Sequence, residues 1–159
     1  MKGISIALIL FLLCPVFCSC EDSEIRTDID CSQLSSALVS QIWDREDYVE
    51  YSDEDVSYLP FFSEAQELSI LYSRDSVDVG EVGVILVDSA DAEQLKREVE
   101  QYLSDELDQK TAFLKNYSPD ELIKLQNAEV RRYGGYIVYT ILGSADAKAV
   151  FEKAEEVLN

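Results

Sequence analysis

The stretch VGVILVDSADA at residues 82–92 decides the fold, because a related stretch, IVYTILGSADA, follows at residues 137–147. In each stretch a run of apolar residues typical of a β-strand leads into Ser-Ala-Asp-Ala, where a helix is expected to begin. The apolar faces of the two helices keep the same phase, since Leu95 corresponds to Val150 when the chain is shifted by 55 residues. The sequence therefore predicts that a strand-helix unit occurs twice.

A further strand is predicted before each of these stretches. Apolar and polar residues alternate from Leu68 to Tyr72, and AEVRRY at 128–133 leads into the turn Gly134-Gly135, which favours type I′ because glycine tolerates positive φ. The predicted fold class is α+β. We expect a duplicated ββα unit that forms a four-stranded antiparallel sheet with helices packed on one face, preceded by one or two short helices.

Helix signals also occur outside this repeat. Asp30 is expected to cap a first helix that runs to about Trp43. The following segment, 44–55, carries seven acids and predicts a solvated connection. Ser89 is expected to cap a long helix whose apolar face includes Phe113.

Composition excludes several classes of function. The chain has 159 residues, 13 Lys plus Arg, 32 Asp plus Glu and no His, so its formal charge is −19. Catalytic triads with His, His-ligated haem and His-ligated zinc are therefore impossible. Nucleic-acid binding is also excluded, because it depends on clustered Lys and Arg.

The first twenty residues, MKGISIALILFLLCPVFCSC, have the composition of a secretory signal: one Lys, an apolar run, and then Pro and small residues. This segment resembles a bacterial lipoprotein signal, in which a small residue precedes the cysteine that is acylated. Cys20 follows Ser19 and fits this pattern, whereas the residues before Cys14 and Cys18 are bulky. The alternatives are an uncleaved membrane anchor and cysteines that serve only as apolar filler.

These observations predict three regions. Residues 1–19 are expected to be a lipoprotein-type signal peptide, residues 20–31 an acidic flexible tether, and residues 32–159 a single α+β domain. Two acyl chains on Cys20 would hold the protein at the membrane from the extracytoplasmic side. Cys31 then has no partner for an internal disulfide, and we expect it to be inert.

One cluster of residues is a candidate binding patch. Tyrosines surround the Gly-Gly hairpin next to the only adjacent pair of arginines in the chain. Aromatic rings beside Arg are typical anchors for a protein, a peptide or a glycan, although ordinary strand packing with Arg laid over a ring is the alternative. The candidate patch consists of Arg131, Arg132, Tyr133, Tyr136 and Tyr139.

The acids do not define a catalytic or metal site. A pair of carboxylates can hydrolyse glycosides, but nothing in the sequence selects a pair. Calcium prefers oxygen ligands, yet the nearest match, Asp75, Asp78 and Gly80, misses the spacing of a calcium loop. We therefore assign no catalytic residue, no metal site and no cofactor from the sequence.

The whole set of motifs resembles a known bacterial family. The residues that carry the likeness are VDVGEVGVILV at 77–87, Tyr-Ser-Pro-Asp-Glu at 117–121, Asn-Ala-Glu-Val at 127–130 and Gly-Gly-Tyr-Ile-Val at 134–138. Together they resemble the family called domain of unknown function 4358, over about residues 32–157. The resemblance implies a lipoprotein without an established activity, and it carries over no catalytic residue.

The function expected from the sequence is that of a membrane-anchored extracytoplasmic lipoprotein, most simply a non-catalytic module that binds a protein, peptide or glycan ligand. A carboxylate-based hydrolase and a purely structural surface protein are the alternatives. A concave pocket with convergent acids would favour the hydrolase. A flat sheet face with aromatic residues would favour binding.

Overall fold

The computed structural model describes residue 26 and residues 28–159. The predicted signal peptide, Cys20 and most of the predicted tether lie outside these residues. No helix within the described part of the chain is long and apolar enough to cross a membrane.

The helices are α1 (Cys31–Val39), α2 (Asp53–Val56), α3 (Ala92–Tyr117), α4 (Pro119–Gln126) and α5 (Ser144–Leu158). The strands are β1 (Tyr48–Glu50), β2 (Glu67–Ser73), β3 (Glu81–Leu86), β4 (Glu129–Tyr133) and β5 (Tyr136–Ile141).

The strands form one antiparallel sheet in the order β1-β2-β3-β5-β4. The predicted α+β class is confirmed, but the predicted number of four strands is wrong. β1 is the additional strand, with Tyr48 opposite Ser73 and Glu50 opposite Leu71. It lies inside the acidic segment 44–55, where a short edge strand with charged neighbours gives no alternating apolar signal.

Helices cover both faces of the sheet, so the prediction of helices on one face is also wrong. Val84 of β3 belongs to an apolar cluster with α1 and α5, whereas Ile85 belongs to a second cluster with α3 and α4. Successive side chains of a strand point to opposite faces. The unbroken apolar run of β3 is therefore the signature of a strand that is buried on both sides.

The order ββα does recur along the chain, but the two halves do not stack in the predicted way. Val84 and its counterpart in the repeat, Tyr139, lie on opposite faces of the sheet. The reason is the register between β3 and β5, which places Val84 opposite Val138 rather than Tyr139. The helix that follows each half therefore packs in a different layer.

The folded body starts earlier than the predicted boundary at residue 32. Asp30 caps α1 as expected, since its Oδ1 accepts the N–H groups of Ser32 at 2.9 Å and Gln33 at 3.1 Å. Ile29 and Cys31 are buried in the apolar cluster of α1 and α5. The end of the predicted tether is thus part of the core, and α1 ends at Val39 instead of Trp43.

Three local predictions also need correction. The cap residue of α3 is Asp91 and not Ser89, and Phe113 is exposed instead of buried. In the hairpin between β4 and β5 only Gly134 has a positive φ, 58°, which rules out a type I′ turn. Gly135 is needed for another reason, because a Cβ at this position would lie 2.5 Å from the carbonyl oxygen of Val87.

Different segments of the chain are hydrogen-bonded at the two ends of the sheet. At the proximal end, where the described chain begins, the Arg26 N–H donates to the carbonyl oxygen of Leu158 at 3.0 Å. At the distal end, the β2–β3 turn (residues 74–80) binds the segment after α1, since the Arg74 N–H donates to the Asp47 carbonyl at 2.9 Å. The corner between α3 and α4 belongs to the distal end as well, because α4 holds the same turn through Glu121 and the Val79 N–H, 3.0 Å apart.

Candidate functional site

The densest group of chemically active side chains surrounds Glu81, the first residue of β3. Its carboxylate accepts hydrogen bonds from the hydroxyl groups of Tyr139 at 2.6 Å and of Tyr102 and Tyr51 at 3.2 Å each. These tyrosines come from β5, from α3 and from the residue after β1. We call Glu81 and the three tyrosines the Glu81 cluster.

Burial dominates the electrostatics of this cluster. It raises the pKa of Glu81 above its ordinary value, and the tyrosine hydroxyls oppose the shift because they stabilise the charged carboxylate. Burial and the neighbouring Glu81 also raise the pKa of Tyr102 and of Tyr139. Glu106, one turn further along α3 than Tyr102, adds negative charge and raises the pKa of Glu81 further.

Close packing encloses the cluster. The ring of Tyr139 lies across β3 at Gly83, where a Cβ would be only 1.9 Å from a ring carbon. Phe61 packs edge-on against the rings of Tyr102 and Tyr139, with centroids 5.5 and 6.3 Å away. Glu81 itself is 5% exposed. The carboxylate is therefore almost wholly shielded from solvent.

A second polar group lies beside the open edge of β2. Ser69 donates to Glu50 at 2.5 Å, and the hydroxyls of Ser69 and Ser35 are 2.7 Å apart. Glu50, Asp53 and Ser69 contribute to the lining of a cavity of about 520 Å³ between the N-terminal ends of α1 and α2.

The acids of the predicted near-match to a calcium loop serve a structural purpose. Asp78 accepts hydrogen bonds from Lys124 and from the Gly80 N–H, both at 2.8 Å, and Lys124 also contacts Glu121 at 3.0 Å. Partial burial raises the pKa of Asp78, but the hydrogen bonds lower it more, so it lies below its ordinary value. This network fixes the β2–β3 turn to α4.

The structure does not bring the five residues of the predicted patch together on one surface. Tyr136 and Tyr139 are fully buried on opposite faces of the sheet, and Tyr133 is 7% exposed. Tyr136 uses its hydroxyl to hold the start of the domain, donating to the Ile29 carbonyl at 2.6 Å and accepting from the Ile29 N–H at 3.1 Å. These tyrosines are core residues.

The two arginines of the predicted patch are separated as well. Arg131 lies over the ring of Phe151, 4.2 Å from its centroid, and pairs with Glu129 at 2.7 Å. Arg132 lies on the other side of β4 and donates to the carbonyl oxygen of Ser89 at 3.1 Å. Neighbouring residues of a strand point to opposite faces, so an adjacent pair cannot form one cationic surface.

The thiol of Cys31 is inaccessible to solvent. It is fully buried, and burial together with the nearby Glu67 raises the pKa of its thiol to about 12. A thiol in this state stays protonated and is a poor nucleophile.

Large apolar side chains are exposed at several places among the described residues, including Tyr58, Phe62, Val77 and Ile123, and two exposed surfaces at the distal end carry aromatic rings. The first, which we call the Trp43 loop, is the segment 40–47 after α1, where Trp43 is 90% exposed at the rim of an open cavity of about 490 Å³. The second, which we call the helical corner, is the segment 109–119 at the end of α3. It exposes Phe113 by 59% and Tyr117 by 75%, with the two rings stacked at 4.9 Å.

The sequence predictions missed both the Glu81 cluster and the distal surfaces. Glu81 did leave a signal, because a charged residue that opens an unbroken apolar strand must find polar partners. Gly83 left another, since a glycine inside a strand often marks the close approach of another group. The exposure of Trp43 and Phe113 depends on where α1 ends and on how far α3 extends past the sheet, and neither follows from residue spacing.

The comparisons with known proteins identify one family. The family model described as "Domain of unknown function (DUF4358)" matches residues 63–142, from the segment before β2 to the residue after β5. The match thus includes Glu81 together with Tyr102 and Tyr139, whereas Tyr51 and the Trp43 loop precede it. No curated protein and no solved structure matches the chain.

Proposed function

The chain belongs to the DUF4358 family, and from the geometry of this member we propose that it is a lipid-anchored extracytoplasmic module which binds a macromolecular partner through its distal end. Anchoring is through an acylated Cys20. The partner contacts the Trp43 loop and the helical corner, and the domain performs no catalysis.

The single observation that carries this proposal is the contrast between buried chemistry and exposed apolar surface. Glu81, the most deeply buried acid among the described residues, is saturated by three tyrosine hydroxyls and closed to substrates. Large aromatic side chains are instead exposed in the Trp43 loop and in the helical corner. Exposed aromatic residues on a soluble domain are typical of a surface that another molecule covers.

The direction in which the chain enters the domain supports the same proposal. Arg26 is held at the proximal end by its hydrogen bond to Leu158. The six residue steps from Cys20 to Arg26 span at most about 20 Å when the chain is extended. An anchor at Cys20 therefore keeps the proximal end near the bilayer. The distal end then points away from the membrane, where a partner can reach it.

Metabolic labelling tests the anchor. Radiolabelled palmitate should enter the wild-type protein and the Cys18→Ala variant, which is the matched control, but not the Cys20→Ala variant. Label in Cys20→Ala would refute this anchor site. Recovery of the unlabelled wild type from the cytosol, with its first methionine intact, would refute the anchoring as a whole.

A carboxylate-based hydrolase is the second candidate, and the cavity beside Glu50 favours it. This cavity is concave and carries two acids, Glu50 and Asp53, with the hydroxyl of Ser69 held at 2.5 Å from Glu50. A panel of chromogenic glycosides and esters tests it. Hydrolysis that is lost in Glu50→Gln and kept in the exposed control Glu54→Gln would establish the hydrolase and exclude the binding module as the sole function.

A further inference from the structure

The Glu81 cluster connects the edge of the sheet to its centre through a group that can gain or lose a proton. We propose that the contact between Glu81 and Tyr51 is a proton-controlled latch: neutral Glu81 holds β1 and Tyr51 against the domain, and loss of the proton loosens them. We call this contact the Tyr51 latch. The inference goes beyond the proposed function and depends on neither the lipid anchor nor the distal surfaces.

Glu81 is buried without a compensating positive charge. It is 5% exposed, and no cation among the described residues donates a hydrogen bond to it or forms an ion pair with it. Beyond the hydroxyl of Tyr102, α3 adds the acid Glu106, which contacts Lys110 of its own helix. An ionised Glu81 is therefore a buried charge that neutral hydroxyl groups alone stabilise, which is costly.

The charged groups of the neighbouring elements have partners of their own. In the β2–β3 turn and α4, Lys124 pairs with Asp78 at 2.8 Å and with Glu121 at 3.0 Å. On β1, Glu50 accepts a hydrogen bond from Ser69 at 2.5 Å. The remaining titratable groups around Glu81 are tyrosines, from β2, β5, α3 and the residue after β1: Tyr72, Tyr139, Tyr102 and Tyr51.

The two carboxylate oxygens of Glu81 are not equivalent. Oε1 accepts hydrogen bonds from Tyr139 at 2.6 Å and from Tyr102 at 3.2 Å, whereas Oε2 accepts one within the described residues, from Tyr51 at 3.2 Å. A carboxylate oxygen has about two acceptor sites, so a proton taken up from water has room on Oε2. The Oε2–H then donates to the Tyr51 oxygen, and Tyr51 turns its own hydroxyl hydrogen away. Proton uptake thus removes the buried charge and keeps all three contacts.

Tyr51 is the partner that the fold holds least firmly. Tyr102 lies within the 26-residue helix α3, and Tyr139 lies in β5, which pairs with β3. Tyr51 follows the three-residue edge strand β1 and is held by its N–H, which donates to the Ile70 carbonyl at 2.9 Å, and by stacking on Tyr72 at 4.4 Å. Short edge segments open at a lower free-energy cost than central strands. The buried charge is therefore relieved most easily by movement of Tyr51.

Water has a route to Glu81 once Tyr51 moves. Tyr51 contributes to the lining of the cavity of about 520 Å³ beside Glu50, and its hydroxyl reaches the carboxylate. Displacement of Tyr51 hydrates the ionised group and lowers the cost of its charge. Burial raises the pKa of Glu81, and Glu106 raises it further. The Tyr51 latch is therefore closed at low pH and loosens as the pH rises through the raised value.

Amide hydrogen exchange of the full chain between pH 4 and pH 8 tests the latch. The reporters are the N–H of Tyr51 and the N–H of Tyr72, which lies opposite Val49 of β1. Their protection factors, corrected for the intrinsic effect of pH on exchange, should fall at least about tenfold, the factor that corresponds to one unit of pKa. The Arg26 N–H, bonded to Leu158 at the proximal end, is the internal control and should keep its protection.

Two results of this experiment would overturn the proposal. Constant protection at Tyr51 and Tyr72 would mean that β1 opens without exposing Glu81. Protection as high as that of Ile85, in the central strand β3, at every pH would mean that β1 opens only when the whole domain unfolds.

Two variants make the test specific to Glu81. The amide of Glu81→Gln resembles the neutral acid, with an N–H in place of the Oε2–H, so the protection of Tyr51 should become independent of pH. Glu106→Gln removes a neighbouring negative charge and should shift the midpoint of the wild-type loss by roughly half a pH unit to lower pH. Asp108→Asn, an exposed acid of the same helix, is the matched control and should leave the midpoint unchanged. A loss of protection that persists in Glu81→Gln, or a midpoint that does not move in Glu106→Gln, refutes the latch.

Discussion

The Glu81 cluster and the distal surfaces use the same kinds of side chain in opposite ways. In the cluster, aromatic rings enclose a charged group and every hydroxyl donates to it. At the distal end, aromatic rings and charged groups face solvent. A buried polar group is costly unless all its hydrogen bonds are formed, so the cluster must be complete to be tolerated. The distal surfaces carry no such requirement, and their side chains remain available to a partner.

The largest effect on the free energy of unfolding is expected at Gly83, where the ring of Tyr139 leaves no room for a side chain. Gly83→Ala places a Cβ 1.9 Å from the ring of Tyr139 and should lower the free energy of unfolding by about 3 kcal/mol or more, because the ring cannot move without breaking its bond to Glu81. Urea denaturation measures this change. Gly143→Ala is the control, since nothing lies within 4 Å of its new Cβ, and it should cost less than about 1 kcal/mol. Equal effects of the two variants would contradict the packing described for Tyr139.

The next effect concerns the proton on Glu81. The pKa of Glu81 is raised in the folded protein, so the folded state holds its proton more tightly than the unfolded chain. This contribution to stability is complete below the ordinary glutamate pKa of about 4.3 and is lost as the pH rises through the raised value. The wild type should therefore lose stability relative to Glu81→Gln as the pH rises.

Urea denaturation of both proteins between pH 4 and pH 8 checks this prediction. Glu54→Gln, an exposed residue on α2, is the control and should follow the wild type across the range. A constant difference between wild type and Glu81→Gln would mean that Glu81 does not titrate differently in the folded state.

Within the cluster, the three hydroxyls should not contribute equally. Tyr139→Phe removes the shortest and most buried bond to Glu81 and should cost about 1 to 3 kcal/mol. Tyr51→Phe removes a bond of 3.2 Å from a partly exposed residue and should cost about 0.5 to 1 kcal/mol. Thermal or urea unfolding ranks the two variants, and the reverse order would contradict the geometry of the cluster.

The smallest effect on stability is expected at the distal end. The double variant Phe113→Ser/Tyr117→Ser changes exposed side chains and should alter the free energy of unfolding by no more than about 0.5 kcal/mol per site. A large loss of stability would show that these rings support the fold of the isolated molecule.

The sequence predicted more of the fold than of the candidate site. Periodicity and turn residues located β2, β3, β4 and β5 together with α1, α3 and α5, because these signals are local. The unbroken apolar run of β3 indicates burial on both faces, but the prediction placed helices on one face only and was wrong there. β1 was missed because a three-residue edge strand among acids has no pattern of its own.

Less of the candidate site could be predicted from the sequence. The four residues of the Glu81 cluster come from positions between 51 and 139, and only the tertiary fold brings them together. The five residues of the predicted patch do not share one surface, for a reason that the sequence already contained. Tyr136 and Tyr139 differ by three positions on one strand, so they must face opposite sides of the sheet. Nearness along the chain was mistaken for nearness in space.

The pairing of β3 with β5 has a consequence for how the protein is assembled during synthesis. About fifty residues separate Leu86 from Tyr136, and these strands meet at the centre of the sheet. Until β5 emerges, β3 has an unpaired, strongly apolar edge, which is the kind of edge that joins the wrong strand of another chain. Such a long-range pairing also forms slowly. The nascent chain is therefore most vulnerable to aggregation in the interval while α3 and α4 are being made.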